Sequence, residues 1–252
     1  MGADTDVSIC RILGVRVDRV TTAEALAHIA SFIAEGGPHQ VVTVNPEFVM
    51  AARRNRAFRA VIEGADLCLA DGVGLLWAGR VLGRPLPERV AGSDLVPQIA
   101  ALAAARGWRL FLLGARPGVA ARAAEALQRV NPDLRVVGTY AGSPADEEAP
   151  SIIELIRAGR PDILLVAYGA PAQDLWIARH RAALQTPVMM GVGGAFDFLA
   201  GVTPRAPRWM RQMGLEWLHR LICQPWRWRR MLALPHFAVR VAAERFIGER
   251  AW

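Results

Sequence analysis

Residues 109–130 have the sequence RLFLLGARPGVAARAAEALQRV, which contains one strand, one turn and one helix. The apolar run Arg109–Leu113 ends at Gly114 and a Pro-Gly turn, and an alanine-rich segment with helical periodicity extends from Val119 to Val130. A short apolar strand that leads through glycines into a helix is the repeating unit of α/β proteins with parallel sheets. This stretch therefore predicts the layered α/β class.

The same alternation continues on both sides of this unit. We predict further strands near Cys10–Val17, Gln40–Val44, Leu67–Ala70, Leu134–Val137, Asp162–Ala167 and Pro187–Gly191. We predict further helices over Thr22–Ala34, Glu47–Ala60, Val73–Val81, Asp94–Ala105, Ser151–Ala158 and Gln173–Ala183. Because the strands are rich in Val, Ile and Leu, the sequence favours a largely parallel sheet that is covered on both faces.

Charge divides the chain into two parts. The 252 residues include 30 basic residues, all of them arginine, and 23 acidic residues. Ten of the arginines and only three acids lie in residues 203–252, so the whole formal excess of +7 is found there, together with five of the eight tryptophans. We therefore predict an α/β body, residues 1–202, and a basic, aromatic, helical C-terminal appendage, residues 203–252.

The composition of the appendage predicts contact with an anionic membrane surface. We expect two helical segments that are broken near Gln224–Pro225; in the first, Trp209, Met213, Trp217 and Leu221 recur every four residues and form an apolar stripe. Tryptophan suits the headgroup level of a bilayer, and arginine suits lipid phosphate. A helix pair packed on the body is the alternative, and a nucleic-acid surface is disfavoured because the rest of the chain is not basic.

Several other classes are disfavoured. The N-terminus lacks the pattern of a signal peptide, and no apolar stretch reaches the roughly 18 residues needed to span a bilayer. The three cysteines and five histidines show no metal-binding spacing, and there is no GxSxG sequence. Asp4–Thr5–Asp6 resembles a metal-binding DXD sequence, but it precedes the first strand and we interpret it as a chance match. We expect no metal site and a protein attached peripherally to the cytoplasmic face of the membrane.

Polar residues follow two of the predicted strands, where ligands of open parallel sheets collect. Thr43 and Asn45 in VVTVNPEF end one strand, and their side chains share a face. They could cap the next helix or face a ligand. Asp71 in CLADGVG directly follows another strand, and a carboxylate at this place could be a helix cap or a general base. The residues alone leave both alternatives open.

Glycines end the other strands. Gly114 precedes a helix whose N-terminal amides would favour a diphosphate, although a tight turn explains it equally well. Gln173 begins a helix after a Gly-Ala-Pro sequence, and Gly193 and Gly194 follow the last strand. Bare backbone at these positions permits the close approach of either a ligand or a neighbouring helix.

Taken together, these stretches resemble the bacterial TagA/WecG/CpsF family of glycosyltransferases. The matching pieces occur in family order over roughly residues 11–231 and are ILGVRVDRVT, VVTVNPEF, LADGVGLLWAGR, ERVAGSDL, LLGARPGVA, YGAPAQDLW, GVGGAFDFLAG and TPRAPRWMRQMGLEWLHRLICQPWRWRR. The resemblance implies a Rossmann-like core and inverting transfer of a sugar from a UDP donor to a polyprenyl-diphosphate-linked sugar, with no evident metal or other cofactor. N-acetylmannosamine or its uronic acid is the expected donor sugar, with glucose as the alternative.

The resemblance also assigns roles to residues. Asp71 resembles the proposed general base, and Thr43 and Asn45 resemble polar residues of the same pocket. Arg89 and Gln173 resemble residues around the donor and acceptor. The appendage arginines that resemble those thought to close over the site are Arg220, Arg227 and Arg230. Relatives commonly have Lys and Glu where this chain has Ala172 and Asp174, so the sequence leaves the donor sugar open.

Two other functions remain as alternatives at this stage. The strand, glycine and helix around Gly114 would suit a nicotinamide-dependent oxidoreductase, but no acidic residue ends the next strand to bind a ribose. A non-catalytic membrane adaptor would account for the appendage but not for the polar strand ends. The sequence allows a homo-oligomer and does not define one.

Overall fold

Strands and helices alternate along the chain in the computed structural model, which describes residues 8–207, 209–210, 213–225 and 228–247. The strands are β1 (Ile9–Ile12), β2 (Val15–Asp18), β3 (His39–Val44), β4 (Leu67–Ala70), β5 (Arg109–Gly114), β6 (Arg135–Tyr140), β7 (Ile163–Ala167) and β8 (Val188–Gly191). The helices of the body are α1 (Thr22–Glu35), α2 (Pro46–Ala52), α3 (Arg56–Glu63), α4 (Val73–Val81), α5 (Gly92–Arg106), α6 (Val119–Val130), α7 (Ala149–Gly159), α8 (Ala172–Leu184) and α9 (Ala195–Leu199). The appendage contains α10 (Glu216–Cys223), α11 (Trp228–Met231) and α12 (Ala233–Ile247).

A six-stranded parallel sheet, in the order β4-β3-β8-β7-β5-β6, forms the centre of the body. Successive side chains of each strand point to opposite faces. Leu110 and Leu112 of β5 pack with α1, α5, α6 and α9, whereas Phe111 and Leu113 pack with α7 and α8 on the other face. This arrangement confirms the predicted Rossmann-like α/β fold with a parallel sheet.

The predicted strand Cys10–Val17 is wrong in its form, because the segment is a hairpin outside the main sheet. Strands β1 and β2 pair antiparallel, and Leu13 and Gly14 form the turn with φ of 51° and 75°. Apolar residues continue on both sides of Gly14, so the pattern suggested one strand and did not reveal this turn. The buried Asp18 at the end of β2 accepts a hydrogen bond from the backbone N–H of Cys68 at 2.8 Å, which joins the hairpin to β4.

The predicted helix Glu47–Ala60 is also wrong, because two helices occupy its place. Asn55 lies between α2 and α3, has extended backbone, and accepts a hydrogen bond from the backbone N–H of Phe58 at 3.0 Å. An asparagine that caps a new helix satisfies an N–H group that a continuous helix would satisfy internally. The hydrophobic period continues across the break, which is why the sequence suggested one helix.

The appendage packs partly on the body. Phe237 and Val241 of α12 are buried in the same cluster as Phe48 and Val49 of α2. This bears out part of the alternative in which the C-terminal helices pack on the body. The division at residue 202 therefore describes charge and composition better than it describes the core.

The first appendage helix is shorter than its stripe predicts. A turn at Met213–Gly214 interrupts the segment, and α10 begins only at Glu216. Trp209, Met213 and Trp217 are exposed, by 57%, 68% and 41% respectively, so this stripe is not part of the core. Within the described residues, no helix combines the length and the apolar character that crossing a bilayer requires.

Candidate active site

The carboxyl ends of β3, β4, β7 and β8 meet around a cavity of about 290 Å³, which we call the polar pocket. It brings together most of the predicted residues of the body. Those that line it are Thr43, Asn45, Asp71, Gln173, Gly193 and Gly194. Arg230 of the appendage lines it as well. The strand ends and the appendage thus assemble in one place residues that lie up to 187 positions apart in the sequence, Thr43 and Arg230.

A second cavity of about 320 Å³, which we call the apolar pocket, adjoins the polar pocket. Helix α4 forms one wall, and the appendage forms the other. The apolar side chains that line it are Val73, Trp77, Trp217, Met231, Leu234 and Phe237. The residues common to both pockets are Asn45, Glu47, Asp71 and Ser93. Asp71 therefore lies where a ligand in one pocket would meet a ligand in the other.

Asp71 follows β4, and its backbone N–H donates to the carbonyl oxygen of Val44 at 2.7 Å. Gly72, with a φ of 100°, is the N-cap residue of α4 and provides no side-chain cap. The glycine turn places Asp71 one residue before the cap. Of the two alternatives for this carboxylate, the structure disfavours the helix cap.

Thr43 and Asn45 have different local roles. Asn45 caps α2, because its Oδ1 accepts from the backbone N–H of Phe48 at 2.9 Å. The buried Thr43 instead donates its hydroxyl to the carbonyl oxygen of Gly191 at 3.3 Å, which links β3 to β8. Both residues still line the polar pocket, so capping and ligand contact are compatible for Asn45.

Gln173 is only 2% exposed and holds two loops together. Its Oε1 accepts from the backbone N–H of Gly169 at 3.1 Å and from that of Gly193 at 3.0 Å. Gly193 has a φ of 52° and open space where a Cβ would be. The structure therefore identifies Gln173 as a residue that shapes the glycine loops of the pocket.

Asp174 lies behind Gln173 in an unusual environment. It is fully buried, and neither carboxylate oxygen has a hydrogen-bond partner of good geometry within the described part of the chain. Burial raises the pKa of Asp174 to about 7, and the Gln173 amide beside it only partly offsets this effect. A Cβ on Gly191 would approach both side chains within 2.6 Å, so these groups are closely packed.

Two reciprocal ion pairs connect the body with the appendage. Arg89 of the body lies 2.6 Å from Asp94 and 3.6 Å from Glu216 of the appendage. In the opposite sense, Arg230 of the appendage lies 2.8 Å from Glu47 of the body. Arg89 lines the apolar pocket and Arg230 the polar pocket, so the predicted Arg89 and Arg230 both reach the site.

The other two predicted arginines cannot be placed. Arg227 lies outside the described residues, and Arg220 lies on α10 with its side chain outside the description. The triplet at residues 4–6 also lies outside them. Within the described ranges, no group of three or more His, Cys, Asp or Glu side chains is arranged to hold a metal ion.

Gly114 is accounted for by packing. It has a φ of 100°, and a Cβ there would lie 2.8 Å from the carbonyl carbon of Ala167 on β7. It lines neither the polar nor the apolar pocket. Its contact with a diphosphate stays a prediction, while the close approach of β7 is what its missing side chain permits.

Sequence reasoning missed several residues of the site. Glu47, Ser93 and Asp197 line the polar pocket, and each lies in a motif that the resemblance had quoted. Motif membership was therefore the available signal. Trp77 lines the apolar pocket and also lies in a quoted motif, but a tryptophan in an apolar helix is typical of a core residue.

Comparison with known proteins shows which family and which characterised proteins this chain is similar to. The family model described as "Glycosyl transferase WecG/TagA/CpsF family" matches residues 10–251. A protein of Bacillus spizizenii is 35% identical over 80% of this chain and 77% of its own length. One of Bacillus subtilis is 34% identical over 81% and 79%, and one of Staphylococcus aureus is 32% identical over 92% and 91%. All three are named N-acetylglucosaminyldiphosphoundecaprenol N-acetyl-beta-D-mannosaminyltransferase.

The fold and the match define an enzyme, a glycosyltransferase with a parallel α/β body. The chain belongs to the WecG/TagA/CpsF family. This confirms the resemblance seen in the sequence, and it does not favour the oxidoreductase or the adaptor.

Proposed function

We propose that this protein transfers an N-acetylmannosamine-type sugar from a UDP donor to the sugar of a polyprenyl-diphosphate-linked acceptor, with inversion, during the synthesis of a cell-surface polysaccharide. The position of Asp71 at the junction of the polar and apolar pockets carries this proposal. The names of the relatives support it, because they specify a mannosaminyl group and a lipid diphosphate acceptor for those proteins.

Asp71 is the proposed general base. An acceptor hydroxyl must lose its proton as it attacks the anomeric carbon, and a carboxylate within hydrogen-bond reach can accept it. Inversion requires attack on the face of the sugar opposite the leaving UDP. Two pockets on either side of Asp71 suit this geometry, since donor and acceptor then approach the carboxylate from different directions.

The polar pocket is the proposed donor site. The hydroxyl of Thr43 suits a ligand hydroxyl, and the glycine loop that Gln173 holds leaves open space at Gly193 where a donor can pack against bare backbone. Arg230 stands at the edge of this pocket, paired with Glu47. A guanidinium at that place would neutralise the charge that develops on the departing diphosphate.

The appendage is proposed to attach the enzyme peripherally to the cytoplasmic face of the membrane. Trp209, Met213 and Trp228 are each more than half exposed, and arginines lie among them in the sequence. Such a surface suits an anionic interface, with indole rings among headgroups and guanidinium groups at phosphates. The acceptor would be found in the same membrane.

The test is a transfer assay with radiolabelled donors. The purified full chain would be supplied with N-acetylglucosaminyl-diphosphoundecaprenol in detergent and, in separate reactions, with UDP-N-acetylmannosamine, UDP-N-acetylglucosamine or UDP-glucose. We expect label in the lipid product chiefly from UDP-N-acetylmannosamine, with a β linkage. Transfer from UDP-glucose alone would overturn the donor assignment, and no transfer from any donor would overturn the proposed function.

A further inference from the structure

The apolar pocket is not explained by the chemistry of sugar transfer. Trp77 of the body and Trp217 of the appendage both line it, and they are 42% and 41% exposed. Indole surface left uncovered in a concave site marks the place of an apolar ligand. A prenyl chain offers more apolar surface to such a pocket than a nucleotide or a sugar does.

The charged residues around the apolar pocket also favour an apolar ligand. The charged residues that line it are Arg89, Glu47, Asp71 and Glu216. Arg89 pairs with Glu216 at 3.6 Å, and Glu47 pairs with Arg230 at 2.8 Å. Because these pairs are already formed, the wall on the appendage side offers an occupant mainly apolar contact.

The size of the apolar pocket and the surface beside it limit what can bind there. A volume of about 320 Å³ is at the small end of ligand pockets, so it would hold only part of a long chain. Gly214 lines the pocket, and a Cβ there would lie 2.5 Å from Val73. The adjacent Met213 is 68% exposed and its N–H donates to the carbonyl oxygen of Trp209, also exposed. Exposed apolar side chains therefore lie directly beside the lining residue Gly214 in the sequence, and they offer further apolar surface to a chain longer than the pocket.

We propose that the apolar pocket binds the first isoprene units of the lipid-linked acceptor, between Trp77 of the body and Trp217 of the appendage. This inference rests on the proposed function, which supplies an acceptor that carries a sugar at one end and a prenyl chain at the other. The sugar lies at Asp71, and the prenyl chain runs between the two tryptophans toward Met213. The appendage completes the acceptor site because it provides one of the two walls.

Trp77 and Trp217 are both about half exposed, so replacing either of them by alanine leaves the core intact. Trp77→Ala and Trp217→Ala would be compared with Phe246→Ala, which removes an appendage aromatic that is 86% exposed and lines neither pocket. The acceptors would be N-acetylglucosaminyl diphosphate attached either to a polyprenyl chain or to a methyl group. The KM for the donor, the KM for the acceptor and kcat would be measured for each protein with each of the two acceptors.

We expect both tryptophan variants to raise the KM for the polyprenyl acceptor about tenfold, the size of effect that follows from uncovering one prenyl face. The KM for the donor and the KM for the methyl acceptor should stay unchanged, and Phe246→Ala should behave as the unaltered enzyme. Unchanged KM for the polyprenyl acceptor, or an equal rise for both acceptors, would overturn the proposal.

A binding measurement separates this proposal from the proposed function. Calorimetry with farnesyl diphosphate requires no transfer, and we expect binding to the unaltered chain that weakens about tenfold in both tryptophan variants. Equal binding by all variants, while transfer proceeds, would overturn the pocket and leave the function standing. Trp77-dependent binding without any transfer would overturn the function and leave the prenyl pocket standing. A change confined to the sedimentation coefficient would instead identify a contact between copies and overturn the proposal.

Discussion

The body and the appendage differ in which side chains they bury. Eight of the fourteen exposed large apolar side chains lie in the appendage, although it is by far the shorter part of the described chain. In the body, apolar side chains are enclosed by the sheet and its helices, and polar groups gather at the strand ends. The comparison shows that the body encloses its apolar side chains and gathers polar groups in a pocket, whereas the appendage leaves much of its apolar surface exposed.

The contact between the two parts makes this division incomplete. Each part supplies an arginine to an acid of the other, in Arg230 with Glu47 and Arg89 with Glu216. Helix α12 buries Phe237 and Val241 in the body. Deleting the appendage would therefore expose core as well as remove a wall, and point substitutions are the better test of the comparison.

The largest expected effect concerns the body alone. Asp71→Asn should lower turnover by about 10²–10⁴, because an amide cannot accept the proton of the acceptor hydroxyl. Circular dichroism and the thermal midpoint should show an intact fold, since Gly72 rather than Asp71 caps α4. The measurement is kcat with saturating donor and acceptor. Undiminished turnover in the folded variant would contradict the role of general base.

The next effect tests whether the appendage takes part in the chemistry. Arg230→Ala should lower kcat by about 10², a loss typical of a single group that stabilises developing charge. Arg229→Ala is the matched control, because Arg229 is adjacent, exposed, and lies over the ring of Trp228 at 5.4 Å instead of in the pocket. Equal losses in both variants would indicate a general effect of appendage charge.

A smaller effect concerns the interior of the body. The pKa of Asp174 is about 7, above the ordinary value of the unfolded chain, so the native state retains this proton between about pH 4 and pH 7. Stability from this group is therefore full below about pH 4 and falls as the pH rises to 7. Asp174→Asn should raise the free energy of unfolding at pH 8 by up to about 4 kcal/mol, with the advantage disappearing near pH 4.

Urea unfolding of both proteins across this pH range would measure the effect. Glu125→Gln is the control, since Glu125 is exposed on α6 and its replacement should not change the pH dependence. An advantage of Asp174→Asn that is equal at pH 4 and pH 8 would show that packing, and not ionisation, causes it.

The smallest effect concerns the outer surface of the appendage. Replacing Trp209 and Met213 by serine should weaken binding to anionic vesicles about tenfold, because two apolar side chains no longer enter the interface. Vesicle sedimentation would measure this loss. Val130→Ser is the control, because Val130 is 79% exposed on the body. A loss of the same size in the control would mean that any exposed apolar residue contributes to vesicle binding. The body and the appendage would then not differ in membrane binding.

Much of the fold followed from local patterns. The unit from Arg109 to Val130 was predicted with nearly the observed bounds, because apolar runs and helical periodicity report burial on neighbouring faces. The hairpin and the break before Asn55 were missed, since hydrophobic periodicity does not reveal a change of chain direction. Most of the site residues of the body were singled out because they follow predicted strands, and the family motifs added Arg89 and the arginines of the appendage. The structure places most of them around two adjoining pockets, and their chemical roles stay predictions.

By itself, the sequence determined the α/β class, the concentration of charge in the last 50 residues and the polar strand ends, because each depends on residue type and spacing along the chain. Only the tertiary structure decided that Gln173 holds the loops together, that the buried Asp174 has no hydrogen-bond partner of good geometry among the described residues, and that Trp77 and Trp217 line one pocket. These features depend on distances between residues far apart in the chain, and such distances are set by the packing of the sheet, its helices and the appendage.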